Sequence, residues 1–329
     1  MFPMIVTSDL HLTDNPRDAY RWGLFPWLID QVREHNAKTI AILGDLTDAK
    51  DNHAAPLVNK VVNALYDLSQ MAEVIVMMGN HDYLQEGHPF FQFTDTIPNV
   101  KFLAKPAVIE SCLFLPHTKR FSEYLLKYRL QEYDLVFMHQ TVSGSIASNG
   151  MKMESDIDAE LDSEAIIWSG DIHVPQKIGN VRYVGSPYHV HFGDRFIPRS
   201  LLFRSSLRPT LDLKFPVLER FTTTIASLAD LDDLEIIEGD QIKIKIDGTH
   251  LDGAGWNALK LQIREWCGSK KVELCGMELI AREKRSLSVA AEERHLRASK
   301  QSSSAAVDEF AKHEKLTEPV ARVGKELLK

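Results

Sequence analysis

Asn80, His81 and Asp82 follow directly on the apolar run Val74 to Met78 and Gly79. Five apolar residues are too few for a helix and the right length for a fully buried strand. An amide, an imidazole and a carboxylate therefore stand together at a strand exit. The arrangement recurs four times. Phe2-Pro-Met-Ile-Val-Thr7 runs into Ser8-Asp9-Leu10-His11, and Thr39-Ile-Ala-Ile-Leu43 into Gly44-Asp45-Leu46-Thr47-Asp48. Leu135-Val-Phe-Met138 runs into His139, and Ile166-Ile-Trp-Ser169 into Gly170-Asp171-Ile172-His173. Hard oxygens mixed with imidazole are the donors that divalent cations take when they activate water for phosphoryl transfer. A pair of such ions, ~3.5–4 Å apart, also needs one carboxylate that can bridge them. Asp9, Asp45 and Asp171 offer carboxylates, His11, His139 and His173 imidazoles, and Asn80 a neutral oxygen. His81, beside Asn80 but pointing elsewhere along the turn, is free to act as a general acid or as a donor to a developing oxyanion. Asp82 is its candidate orienting acceptor. Each residue alone is a common turn or core residue; five strand exits carrying such groups in order are not.

The elements that must position these groups read as strand, helix, strand, helix, strand. Leu24, Trp27, Leu28 and Val32 share one helical face; Leu57, Val61, Leu65 and Leu68 share another, opened by Pro56. That is the βαβ grammar of a parallel sheet covered by helices, with ligands at the carboxyl ends of its strands. From Pro98 to Pro116 short extended pieces predict antiparallel strands of a second sheet, and Phe121 to Tyr133 predicts a helix. Ser143 to Gly150 is a flexible loop, and Val181 to Tyr188 a strand with a tight turn. The composition shifts near Pro209. Strands at Phe221–Ile225, Gln241–Ile246 and Lys271–Cys275 with a helix over Ala258–Cys267 form a compact α+β module. The expected domains are 1–208, a capping module at 213–283, a charged, Ser-rich linker at 284–304 and a helical tail at 305–329. Helices as short as those of the tail are marginal alone, so they need a surface of the chain itself or of a partner to dock on.

At 329 residues, 44% hydrophobic and 26% charged, the chain has the composition of an ordinary globular protein with a substantial core. Its net charge of -8 argues against nucleic-acid binding by bulk electrostatics, although bound cations would cancel several carboxylates locally. Cys112, Cys267 and Cys275 form no metal-type pair and read as core thiols of a reducing compartment. The N-terminus lacks a basic leader and no run approaches ~18 apolar residues, so the expectation is a cytoplasmic protein outside any membrane.

Asp9-Leu-His11, Gly44-Asp45-x-x-Asp48, Gly79-Asn80-His81-Asp82, His139 and Gly170-Asp171-Ile-His173 together resemble the signature of the calcineurin-like metallophosphoesterases. Gly185-Ser186-Pro187-Tyr188 followed by Phe192-Gly193-Asp194, the small cap and the tail ending Val320-Ala-Arg-Val-Gly-Lys-Glu-Leu-Leu328 resemble, more narrowly, the SbcD-like exonuclease subunits of double-strand-break repair, phage recombination nucleases included. The resemblance implies a two-sheet α/β sandwich with flanking helices, a capping α+β domain and a helical tail. It implies a first metal on Asp9, His11, Asp45 and His173, and a second, bridged by Asp45, on Asn80, His139 and Asp171. His81 would protonate or steady the leaving oxygen, with Asp48 and Asp82 beside it. Two Mn²⁺ are the implied cofactors, with Mg²⁺ as a substitute, and the implied activity is a DNA exonuclease that can also act as an endonuclease. The implied partners are DNA, an SMC-type ATPase gripping the C-terminal helices, and a second copy paired through the nuclease domain.

Two positions depart from that pattern. Asp171 stands where the family usually has histidine; its carboxylate can still ligate Mn²⁺ or Mg²⁺ and favours hard cations, the alternatives being a weak second site or an Asp171 that only supports the ligands. Asp48 stands where some relatives place a second catalytic histidine, with His53 as the nearby substitute. His117, His189 and His191 read mainly as loop residues, and Arg195, Arg199, Arg204 and Arg208 as either a solvated edge or a phosphate-facing stretch. Competing readings are a stand-alone phosphodiesterase or phosphatase, and a non-catalytic scaffold regulating an ATPase.

Overall fold

The computed structural model describes residues 1–161, 164–205, 209–248 and 252–280. By internal contacts the chain forms two units, residues 1–245 with 259–278, and residues 246–258 with 279–329. The linker and tail expected at 284–329 lie outside the described residues.

The first unit is built on two six-stranded sheets. One has β1 (Met4–Thr7), β2 (Thr39–Ile42), β3 (Glu73–Met77) and β4 (Val100–Leu103) in parallel, with β11 (Ser200–Phe203) and β12 (Pro209–Leu213) added antiparallel on the β1 side. The other runs β5 (Ala107–Ile109), β6 (Cys112–Leu115), β7 (Leu135–His139), β8 (Ile167–Gly170), β10 (Val181–Tyr183) and β9 (Gln176–Ile178). The continuous apolar runs exist because both faces of these strands are covered. In β1 to β3, Ile5, Ile40, Ile42, Val74 and Val76 pack with α1 (Leu24–His35) and α2 (Ala55–Ser69), while Met4, Val6, Ala41, Ile75 and Met77 join Phe114, Phe137 and Phe203 in the second core between the sheets. The far face of the second sheet, with Leu113, Val136 and Met138, carries a third core. Cys112 is buried between the sheets, as expected of a core thiol.

Two expectations need correction. The stretch after Pro98 does not go wholly to the second sheet, because β4 pairs parallel with β3 after a 3-10 crossover at Phe90–Thr96. The helix expected over Phe121 to Tyr133 stops early: α3 spans Phe121–Lys127, Tyr128 is extended and a 3-10 turn covers Leu130–Glu132. Phe121 and Leu130 are both buried in the third core. Nine residues apart, at roughly 100° per residue, a continuous helix would place them on opposite faces, so the break lets both reach the core.

β13 (Arg220–Ile225), β14 (Gln241–Asp247) and β15 (Glu273–Ile280) form a third sheet. β14 alternates as the sequence predicts, Ile242 and Ile244 inward and Lys243 and Lys245 outward. From Leu259 onward α4 (Gly253–Lys270) buries Leu259, Ile263 and Cys267 on one face. Its first turn lies in the second unit, where the Asp252 carboxylate accepts the Gly255 N–H at 2.7 Å. Among the described residues no helix is long and apolar enough to cross a membrane.

Candidate metal centre

The parallel strands β1, β2 and β3 release Asp9, His11, Asp45 and Asn80 at their carboxyl ends; β7 and β8 release His139, Asp171 and His173 from the facing sheet. Positive φ angles turn four of these residues, Asp9 (57°), His11 (42°), Asp45 (54°) and Asp171 (83°), back over the strand ends. Non-glycine residues rarely adopt that region, and such strain persists where surrounding bonds enforce it. Here the carbonyls of residues 9 to 11 are each captured: Ser186 Oγ donates to Asp9 O at 3.1 Å, Tyr188 Oη to Leu10 O at 2.5 Å, and buried Arg21 to His11 O. The Gly-Ser-Pro-Tyr segment thus positions the first loop. Arg21 carried no signal in the sequence beyond lying in a helical stretch.

Glycines make room for the ligands. A Cβ on Gly44 would lie 2.3 Å from His139 Nδ1, and one on Gly79 2.2 Å from Asp45 Oδ1.

The donors converge. Asp45 Oδ2 faces His11 Nε2 at 3.5 Å and its Oδ1 faces His139 Nε2 at 3.4 Å. His11 and His173 approach Nε2 to Nε2 at 3.0 Å. The Asn80 amide oxygen lies 3.1 Å from His139 Nε2 and 3.0 Å from both Asp45 oxygens; turned over, the amide would donate to that carboxylate. Asp9 Oδ2 is buried without a partner. Among the described residues three close donor groups result: Asp9, His11 and His173; Asp9, Asp45 and His139; and His11, Asp45 and His81. Lone pairs facing lone pairs among these close-set donors fit divalent cations, and Asp45, with one oxygen toward each imidazole, fits the bridging position.

Neighbouring groups set the imidazole tautomers. His139 Nδ1 lies 2.5 Å from Leu43 O, which only an N–H can satisfy, leaving Nε2 as a ligand atom. His11 Nδ1 lies 3.1 Å from Asp48 Oδ1, which aims its Nε2 inward in the same way. This hydrogen bond pulls the Asp48 carboxyl down to about 2. Asp171 accepts from Thr141 Oγ1, and its N–H donates to Asp9 Oδ1 at 2.9 Å.

Burial pushes Asp9 up to about 6 and Asp82 likewise to about 6, and also raises Asp171. Burial works against protonated His139, yet Asp45, Asp171 and Asp9 together hold its pKa well above the ordinary value. Burial and the neighbouring His11 and His191 drive His173 well below its own. In the metal-free site protons must do part of the neutralising that cations would do.

The structure separates roles the sequence ran together. Asp82 is fully buried and spends its carboxylate on backbone N–H groups rather than on the His81 ring. Its Oδ2 accepts Gly79 N–H at 2.7 Å and Asp45 N–H at 2.9 Å, and its Oδ1 accepts Leu46 N–H at 2.9 Å, so it welds two ligand loops together. His81, partly exposed, instead sets Nδ1 3.2 Å from Asp48 O and 3.5 Å from Asp48 Oδ1, and its backbone N–H donates to Asp45 Oδ1 at 2.9 Å. His53 lies against Phe90 with Nε2 2.7 Å from Thr47 Oγ1. His117 is tied to Tyr83 Oη at 2.8 Å and His189 to Phe196 O at 2.8 Å. His191 stacks on His173, a contact the sequence did not disclose. Arg199 staples carbonyls 183 and 184 to Asp212, and Arg195 lines a cavity; Arg208 lies outside the described residues.

Two facing sheets with this donor cluster at their strand ends define a metal-dependent phosphoesterase. The calcineurin-like phosphoesterase family matches residues 2–195, and the chain belongs to it. Exonuclease subunit 1 of Enterobacteria phage T4 is 27% identical in an alignment of 209 positions that covers 58% of this chain. The chain spans 61% of that relative's length. Among solved structures, the nuclease MPE of Pseudomonas putida aligns with 63% of this chain and 86% of its own at 14% identity, with a TM-score of 0.34.

Proposed function

We propose that this chain is the nuclease subunit of a DNA recombination and double-strand-break-repair complex, a Mn²⁺-dependent exonuclease. The observation that carries the reading is the Asp45 carboxylate set between His11 and His139 with Asn80 beside it, a bridge suited to two cations. Asp9, His11, Asp45 and His173 would hold one ion and Asp45, Asn80, His139 and Asp171 the other. Bound there, paired cations would activate water and neutralise the charge developing on a phosphodiester. His81, its side chain 31% exposed, has its Nδ1 against Asp48, which leaves Nε2 to give a proton to the leaving oxygen. The T4 relative, named as an exonuclease subunit, supports DNA as substrate and a complex as setting. The partner would be an SMC-type ATPase engaging residues 305–329, and the complex would contain two copies paired through their nuclease domains.

The test is degradation of end-labelled linear duplex DNA by the purified chain, beside His81→Ala, with and without a coexpressed SMC-type ATPase. Degradation that requires Mn²⁺, stops in His81→Ala and rises with the ATPase is the expected result. An intact DNA substrate under every condition, with a small diester still hydrolysed, would sink the DNA reading.

A further inference from the structure

Arg220 opens β13 and is buried, a cation that the proposed chemistry does not use. A buried guanidinium needs acceptors for its N–H groups. Its Nε donates to Gln241 Oε1 on β14 at 2.9 Å, its Nη1 to Val190 O at 3.0 Å and its Nη2 to Asp18 Oδ1 at 2.6 Å. Gln241 is held in turn, donating to Arg17 O at 2.7 Å and to Glu273 Oε2 at 2.8 Å. The rings of Phe192 and Tyr20 lie 4.8 and 5.2 Å from the guanidinium carbon. Arg21, with Asp18 in the 3-10 stretch Pro16–Gly23, uses two of the same acceptors: its Nη2 donates to Val190 O at 3.0 Å and lies 3.1 Å from Asp18 Oδ1. Two buried like charges can stand side by side because that carboxylate and that carbonyl serve both. Arg21 also captures His11 O.

Val190 leads into the loop that carries His191, whose ring stacks on His173 with centroids 5.4 Å apart and planes at 23°. That loop is pinned from two directions. Asp194 Oδ2 accepts the Val190 and His191 backbone N–H groups at 2.7 and 2.9 Å, and Thr222 Oγ1 of β13 donates to Phe192 O at 3.0 Å. We infer that Arg220 is a positioning residue of the metal centre: through Asp18, Arg21 and Val190 it holds the His11 turn and the His191 loop together, and so fixes His11 and His173 as donors to one cation. This rests on the two-cation reading above and adds to it a requirement for strands β13 and β14. Outer supports of this kind orient ligands without touching the ion. His11 and His173 share a donor group with Asp9, whereas His139 belongs with Asp9 and Asp45 and takes its own support from Leu43 O. The coupling is therefore one-sided: the cation position of His11 and His173 depends on Arg220, and that of Asn80, His139 and Asp171 does not.

Titration calorimetry of Mn²⁺ into the metal-free full chain reads each position without reference to activity, and His173→Ala marks which equivalent belongs to His11 and His173. In Arg220→Gln that equivalent is expected to bind about tenfold more weakly while the other stays within about twofold. Thr222→Val keeps the side chain's shape and removes the bond to Phe192 O. It is expected to weaken the same equivalent by about threefold, and it carries the test if Arg220→Gln does not fold. Arg220→Lys keeps a charge beside Asp18, but an ammonium cannot serve Gln241, Val190 and Asp18 as the planar fork does. It is expected to recover Tm while the marked equivalent stays weak. Ile263→Ala empties part of the buried face of α4 and is expected to lower Tm with both equivalents intact. Equal weakening of both equivalents in Arg220→Gln or Thr222→Val, or wild-type affinity at the marked one, would overturn the coupling and leave the metal centre standing. A wild-type chain that takes up no Mn²⁺ would overturn the metal reading, and the inference with it.

Discussion

Each oxygen of the Asp45 carboxylate faces a different imidazole, and the His81 N–H also donates to it. Removing its charge should therefore disturb both cation positions. Asp45→Asn is expected to lower bound Mn²⁺ from two equivalents to at most one and to abolish diester hydrolysis, whereas His81→Ala should lose hydrolysis and keep both ions. Titration calorimetry with Mn²⁺ separates them, and loss of one equivalent in His81→Ala would make that histidine a ligand, as its proximity to His11 and Asp45 allows. Asp82 acts differently, through three backbone N–H groups. An asparagine keeps only one acceptor oxygen, so Asp82→Asn should cost ~1–3 kcal/mol in urea unfolding even without metal, the penalty of stranding a buried donor. An unchanged midpoint would remove Asp82 from that role.

At the scale of the element, the site depends on loops bent where strands end. The Asp9 to His11 turn survives its positive φ angles because Ser186, Tyr188 and Arg21 take its three carbonyls. Tyr188→Phe preserves the buried ring and removes one of those bonds. It is expected to cost ~1–2 kcal/mol and to weaken Mn²⁺ binding by about 10-fold, the usual effect of losing an outer support. Full Mn²⁺ affinity in this variant would show that the turn holds itself. Gly79→Ala tests the packing of two loops. Its new methyl would fall 2.2 Å from Asp45 Oδ1 and 2.5 Å from Asp45 N, so metal binding should fail although the strand before it is untouched.

At the scale of the whole molecule, the candidate centre draws donor side chains from two sheets, so cations held there would link binding to folding. Ions bound only by the native state would stabilise it by ~4 kcal/mol at 1,000 times Kd, and chelation should lower Tm accordingly. The pH dependence has a definite sign. Burial raises Asp9 and Asp82 to about 6 in the metal-free fold, above the ~3.9 of an unfolded aspartate. Between these values the folded state binds more protons, so these groups stabilise metal-free protein at low pH and lose that contribution as pH rises through about 6. Cations need the ionised carboxylates, so the Tm gap between Mn²⁺-loaded and chelated protein should widen from about pH 5 to about pH 7.5. Scanning calorimetry at both pH values checks it, and a constant gap would mean that these protons are not displaced by metal.

Spacing alone marked Asp9, His11, Asp45, Asn80, His139, Asp171 and His173, because strand exits concentrate polar side chains after apolar runs, a local pattern that needs no tertiary knowledge. The parallel strands were legible for the same reason. Tertiary structure decided which sheet each strand joined, since a run buried on both faces reads alike in either. It also decided where α3 breaks, because only the third core demands both Phe121 and Leu130. Asp82 as a weld between loops, Asp48 as the partner of His11, and the capture of three carbonyls by Ser186, Tyr188 and Arg21 depend on contacts between residues far apart in the chain, and no local pattern records those.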